Sequence, residues 1–105
     1  MPLIHVEDDA HFKKILADNA DGVVIIDFTA SWCGPCKMIS PVFEELAEQH
    51  PNVPFLKVDV DECTEAAGDV NAMPTFRVIK NGKKVKEFSG ANADELKAMV
   101  HAHVA

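Results

Sequence analysis

Cys33 and Cys36 stand two residues apart inside Trp32-Cys33-Gly34-Pro35-Cys36-Lys37. Two intervening residues on a tight turn bring both sulfurs within disulfide reach, so the pair can cycle between dithiol and disulfide. Such a cycle needs an exposed attacker of low pKa and a protected resolver. The apolar run Val23 to Phe28 ends just before the pair, and a helical pattern (Ile39, Phe43, Leu46, Ala47) begins just after it. Cys33 therefore falls at a strand-to-helix junction, where free amides and the positive end of the helix dipole favour a thiolate. Cys36 lies one turn in, closer to the core. Pro35 suits the first helical turn, whose N–H groups are unpaired anyway, and Trp32 adds an apolar rim. A zinc site is the competing use of such cysteines, but it needs four ligands at suitable spacing. Cys63 and the scattered His5, His11, His50, His101 and His103 supply no second paired motif. His101 and His103, two apart on a helix, face different ways. Redox chemistry without a metal is the expectation.

Other residues could assist. Alternation along the run puts Val23, Ile25 and Asp27 on one face, so the acid shares a side with core residues. A carboxyl buried there has a raised pKa and is ready to exchange a proton with a departing thiolate. Lys57, on a neighbouring strand, would modulate that carboxyl or simply reach for solvent. Met73-Pro74 opens a strand after a loop; most X–Pro bonds are trans, which sets the expectation from the residues alone. Pro41 lacks the donor for the Lys37 carbonyl and predicts a kink in the cysteine helix. Cys63 reads first as a packed thiol.

The elements that must position these groups follow from patterning. Ile4 to Val6 form a short first strand, and Asp8 or Asp9 caps a helix that buries Phe12, Ile15 and Leu16 and ends near Asn19. Asp21-Gly22 turns into the run Val23 to Phe28, which is apolar but for Asp27, rich in β-branched residues, and reads as a central strand buried on both faces. After the cysteine helix, Pro51-Asn52-Val53-Pro54 breaks the chain, Phe55 to Val60 form a strand, and Glu62 to Val70 a short acidic helix. Thr75 to Lys80 and Lys83 to Phe88 are strands joined by Asn81-Gly82, a strong hairpin signal. Asn92-x-x-Glu95 reads as a capping box opening a helix with Leu96, Met99, Val100 and His103 on one face. The order βαβαβαββα implies an α/β domain with parallel pairing, helices on both faces and an antiparallel hairpin at one edge.

Composition excludes other classes. The 105 residues suffice for one domain and one modest core, and 48% hydrophobic with 26% charged residues is ordinary for a globular protein. A net charge of −7 gives no reason to expect nucleic acid, and Lys80, Lys83, Lys84 and Lys86 flank the hairpin turn as a solvated face. No membrane span is expected. The N-terminus lacks a basic start followed by an apolar core, so no secretory signal is expected either. Three cysteines are too few for a disulfide scaffold, and a lone Cys-x-x-Cys fits a reducing compartment.

Taken together, Trp32-Cys-Gly-Pro-Cys-Lys37, preceded by Asp27-Phe-Thr-Ala and followed by Met73-Pro-Thr-Phe76 and Phe88-Ser-Gly-Ala91, closely resembles the thioredoxin family over the whole chain. The resemblance implies a thioredoxin fold: a three-layer αβα domain over residues 1–105, with a central five-stranded mixed sheet flanked by four helices. It implies a protein-disulfide reductase in which Cys33 attacks a substrate disulfide and Cys36 resolves the mixed disulfide. Asp27 resembles the family's buried acid and Lys57 its basic neighbour. Pro74 resembles its cis-proline, which replaces the trans expectation. The backbone at Met73 would then pair with an extended substrate strand, with Trp32, Gly34, Pro35, Met73, Pro74, Gly90 and Ala91 forming an apolar docking surface. No cofactor would be bound: a flavoprotein, thioredoxin reductase, would recycle the pair with NADPH. Partners would be disulfide-containing proteins such as peroxiredoxin- or reductase-type enzymes, and the chain a cytoplasmic monomer. Gly34-Pro35 between the cysteines resembles the reducing members more than the isomerase domains. Cys63 resembles an extra cysteine of animal-type members and so a regulatory thiol. Two rivals stand beside this reading: a binding module whose dithiol only gates docking, and an oxidant or isomerase of an exporting compartment.

Overall fold

The structure, a computed structural model, describes residues 3–104. Met1, Pro2 and Ala105, which the domain span and the leader reading include, lie outside the described residues. Five strands form one sheet: β1 (Leu3–His5), β2 (Val23–Thr29), β3 (Phe55–Asp59), β4 (Thr75–Lys80) and β5 (Lys83–Ser89). Their order across the sheet is β1-β3-β2-β4-β5. β3 pairs parallel with β1 and β2, whereas β4 is antiparallel to β2 and β5. The strand richest in β-branched residues therefore sits at the centre, and β2 is buried from Val24 onward. Asn81 and Gly82 both take positive φ, 54° and 79°, as a two-residue hairpin turn requires.

Three α-helices lie among the described residues: α1 (Asp9–Asp18), α2 (Gly34–Gln49) and α3 (Ala93–His103). Asp8 caps α1, accepting the His11 amide at 2.8 Å, and Asn92 caps α3, accepting the Glu95 amide at 3.0 Å. One face of the sheet packs Ile25, Phe55, Phe76 and Val78 against Ile39, Phe43 and Leu46 of α2 and Leu96, Met99 and Val100 of α3. The other packs Val24, Ile26, Phe28, Leu56 and Val58 against Phe12 and Ile15 of α1 and against Cys63 and Ala67. The fold is thus a three-layer αβα sandwich. α2 runs unbroken through Pro41.

Two expectations need correction. The first strand is Leu3–His5 rather than Ile4 to Val6. The helix expected over Glu62 to Val70 is a series of turns, so the sheet carries three helices rather than four. The cause is competition from a carboxylate distant in sequence. The amides of Glu65 and Ala66 donate to the carboxylate of Asp9, at 3.2 and 2.9 Å, instead of to carbonyls four residues back. Gly68 weakens helix formation further, and a segment this short cannot recover the nucleation cost by itself. No helix among the described residues is long and apolar enough to cross a membrane.

Candidate active site

β2 ends at Thr29 and the chain turns sharply, the Cys33 amide donating to the Ala30 carbonyl at 3.2 Å. Cys33 is the N-cap of α2: its Sγ accepts the Cys36 amide at 3.2 Å and its carbonyl accepts the Lys37 amide at 3.3 Å. Pro35 occupies the first turn, as its missing N–H allows. Cys33 and Cys36 are joined in a disulfide, their Cα atoms 5.3 Å apart. Against the expectation of an exposed attacker over a protected resolver, both are buried in this oxidised form, Cys33 at 6% and Cys36 at 2% exposure. Access comes from the neighbours: Trp32 is 65% exposed, and Gly34 and Pro35 lie at the surface.

A second loop faces the pair. The Met73–Pro74 peptide bond is cis. Met73 packs on the small cluster of Ala30, Cys33 and Cys36, together with Val60. The Pro74 carbonyl accepts the Gly90 amide at 2.8 Å, and Thr75 Oγ1 donates to the Ala72 carbonyl at 2.6 Å. Cys33, Cys36 and Met73 therefore form one cluster, and Gly90, with Ala91 beside it, is tied to Pro74. The Trp32 indole Nε1–H donates to Asp61 Oδ2 at 2.9 Å.

Asp27 is fully buried, and neither carboxylate oxygen has a hydrogen-bond partner. Burial pushes its pKa up to about 7, with the positive charge of Lys57 pulling the other way. Lys57 is the Cα partner of Asp27 across β2 and β3, but its ammonium donates to Ser40 Oγ at 3.0 Å. A groove of about 510 Å³ opens here, lined by Cys36, Ser40, Lys57, Thr29 and Asp59 among others. Cys63 lies across the sheet, fully buried; burial first, and then the carboxylates of Asp9, Glu62, Asp8 and Asp59, push its thiol pKa up. Among the described residues, no group of three or more His, Cys, Asp or Glu side chains could hold a metal ion.

Sequence reasoning missed Ser40 and Asp61. Ser40 was findable, four residues after Cys36 on the same helix face. Asp61 was not: nothing local links it to an indole 29 residues earlier.

A family model described as Thioredoxin matches residues 3–102. Thioredoxin of Mus musculus is 50% identical over 97 residues, covering 90% of this chain and 92% of that protein. Reduced Schistosoma mansoni thioredoxin pre-protein superposes with a TM-score of 0.91 at 40% identity, over 97% of this chain and 98% of that one. A chain from a structure on the thiol-resolving mechanism of yeast mitochondrial 1-Cys peroxiredoxin via glutathione and thioredoxin systems gives a TM-score of 0.84 at 34% identity, over 95% and 94% of the two chains. A cysteine pair at the N-terminus of α2, facing the loop of Pro74, is the site expected of a thiol–disulfide oxidoreductase that reduces protein disulfides. With that site on this fold and these relatives, the chain belongs to the thioredoxin family.

Proposed function

We propose that the chain is a general protein-disulfide reductase in which each site residue has a separate task. In the dithiol form the Cys33 thiolate, favoured by the free amides of the first turn of α2, attacks one sulfur of a substrate disulfide. A mixed disulfide forms and the first substrate thiolate leaves. Cys36 passes its proton to the carboxylate of Asp27 and attacks Cys33 Sγ. The second substrate thiolate departs and takes the proton held by Asp27, while the first takes a proton from water. Two electrons and the Cys36 proton have then moved from the chain to the substrate, and the Cys33–Cys36 disulfide described above remains. Asp27 suits the task because a group near pKa 7 is both donor and acceptor at neutral pH. Lys57 modulates it by charge.

Substrate would dock across Trp32, Gly34, Pro35, Met73, Pro74, Gly90 and Ala91, with the backbone at Met73 free to pair with an extended strand. A flavoprotein reductase using NADPH would restore the dithiol, and no cofactor would stay on the chain. The peroxiredoxin context of the yeast relative supports peroxide-reducing enzymes as one substrate class. We take the protein to act as a monomer in the cytoplasm, residues 1–105 forming one thioredoxin domain. Cys63, walled in by the core, would respond to oxidants only after local opening.

The observation that carries this reading is the capping of α2 by a disulfide-forming cysteine. Equilibration of the Cys33–Cys36 pair against a thiol–disulfide buffer tests it. A potential near the roughly −270 mV already known for thioredoxin supports a reductase, whereas about −180 to −120 mV means an isomerase or oxidant.

A further inference from the structure

Asp27 and Lys57 are Cα partners in a parallel register, so both side chains leave the sheet on the face that α2 covers. A carboxylate and an ammonium placed this way ordinarily pair. Here the Lys57 ammonium instead donates to Ser40 Oγ at 3.0 Å, and the Ser40 hydroxyl donates on to Glu44 Oε2 at 2.8 Å. Both Asp27 oxygens are left without a hydrogen-bond partner. The chain Lys57–Ser40–Glu44 crosses the groove from β3 to α2, and Cys36 lines the same groove one helical turn before Ser40.

We propose that Ser40 is a positioning residue: its hydroxyl draws the Lys57 ammonium toward Glu44 and so keeps the acid that serves Cys36 out of an ion pair. The inference rests on the proton-relay reading of Asp27 and deepens it. An opposite charge in close contact lowers a carboxyl pKa by about 1 to 3, which would leave Asp27 mostly ionised at pH 7 and a poor donor. Held on Ser40, Lys57 only partly offsets the effect of burial. The other charged or titratable groups around the groove are His5 from β1, Cys36, Lys37 and Glu44 from α2, Asp59 from β3 and Glu62 beyond it. Of these groups, substituting Ser40 by Ala directly deprives only Glu44, which loses the hydroxyl's hydrogen bond, and the Lys57→Met background controls for that loss.

The test is a carbon-13 NMR titration of the Asp27 carboxyl in the oxidised protein, where Cys36 does not titrate. Ser40→Ala should lower the Asp27 midpoint by about one pH unit, a tenfold loss of proton affinity, as Lys57 swings onto the acid. Ser40→Thr, which keeps the hydroxyl, should restore the wild-type midpoint. In a Lys57→Met background, Ser40→Ala should change nothing. An unchanged or raised midpoint in Ser40→Ala, or a shift that persists without Lys57, overturns the proposal. The pH profile of mixed-disulfide resolution separates the two readings. A profile that follows the NMR midpoint supports both. A midpoint that moves while the profile stays fixed retains Ser40 as the positioning group and removes Asp27 from the relay.

Discussion

Gly90 donates its amide to the carbonyl of Pro74 at 2.8 Å, fastening the end of β5 to the loop that packs against the cysteine pair. Gly90 makes this contact at φ +111°, a conformation that L side chains rarely adopt, although a Cβ there would meet nothing within 4 Å. Backbone strain rather than crowding is therefore the obstacle to substitution. Gly90→Ala should cost about 1–3 kcal/mol in urea unfolding. It should raise KM for a protein disulfide more than it lowers kcat, because the docking loop shifts while the cysteines keep their helix. A kcat loss with KM unchanged would show that Gly90 supports the cysteines instead.

The cysteine roles separate by trapping. Cys33→Ser removes the capping thiolate and should abolish turnover. Cys36→Ser should leave the first attack intact and accumulate a covalent mixed disulfide that gel electrophoresis resolves under non-reducing conditions. Trapping by Cys33→Ser and not by Cys36→Ser would reverse the assignment, and the slight difference in exposure between the two residues makes that check worth performing.

Asp27 should also leave its mark on stability. Burial pushes its carboxyl pKa up to about 7 in the folded chain from the ordinary 3.8, so the native state holds this proton more tightly than the unfolded chain does. Stability must then fall as pH rises through that window, because the native state binds more protons there, and level off above about pH 7. The total is on the order of 4 kcal/mol. Urea unfolding at several pH values should show Asp27→Asn gaining on the wild type between pH 4 and 7, with a constant difference beyond. A pH-independent difference would mean that the carboxyl is not destabilised by burial.

Much of this architecture was legible because its signals are local. Asp8 and Asn92 cap the helices they precede, Asn81-Gly82 makes the hairpin turn, and the β-branched run around Ile25 becomes the central strand. Asp27 was readable as buried from strand alternation alone. What stayed hidden is settled between distant segments. The turns over Glu62 to Val70 answer to a carboxylate on Asp9, 56 and 57 residues away in sequence from the amides it holds. The partner of Lys57 is a serine on the helix above rather than the acid beside it. Arg77 is buried to 8% exposure because its partners, Asp69, Glu87 and Phe28, come from three other segments of the chain.

Those partners make Arg77 testable. Its guanidinium donates to both oxygens of Asp69 at 3.0 Å and to Glu87 at 2.6 Å, and lies 4.7 Å over the ring of Phe28. A lysine cannot reproduce this planar fork. Arg77→Lys should cost about 1–2 kcal/mol, kept modest because Asp69 is largely solvated. The hydrogen bond from Arg77 holds the Asp69 carboxyl below its usual range. The pairing therefore stabilises the fold above the unfolded-state pKa of 3.8 and fades as pH falls through the lowered folded value. The deficit of Arg77→Lys should shrink under acid. A deficit equal at acid and neutral pH would assign the loss to the stacking on Phe28 rather than to the ion pairs.

Asp9 ties the turns that follow Cys63 to the N-terminus of α1. Its carboxylate satisfies the amides of Glu65 and Ala66 in the turns that cover the thiol, whereas the exposed Lys13–Glu65 pair beside it adds little. Removing the carboxylate leaves two amides to water and frees the segment from α1. Asp9→Ala should cost about 1–2 kcal/mol, the scale of a lost helix cap. It should also speed the reaction of Cys63 with a thiol reagent, measured on protein whose Cys33–Cys36 disulfide is intact so that only Cys63 can react. Because α2 packs on the opposite face of the sheet and the cysteine pair forms a separate cluster with Ala30, disulfide reductase activity should stay near wild type. Cys63 reacting no faster in the variant than in the wild type would mean that core packing alone, and not the Asp9 contact, keeps the thiol closed.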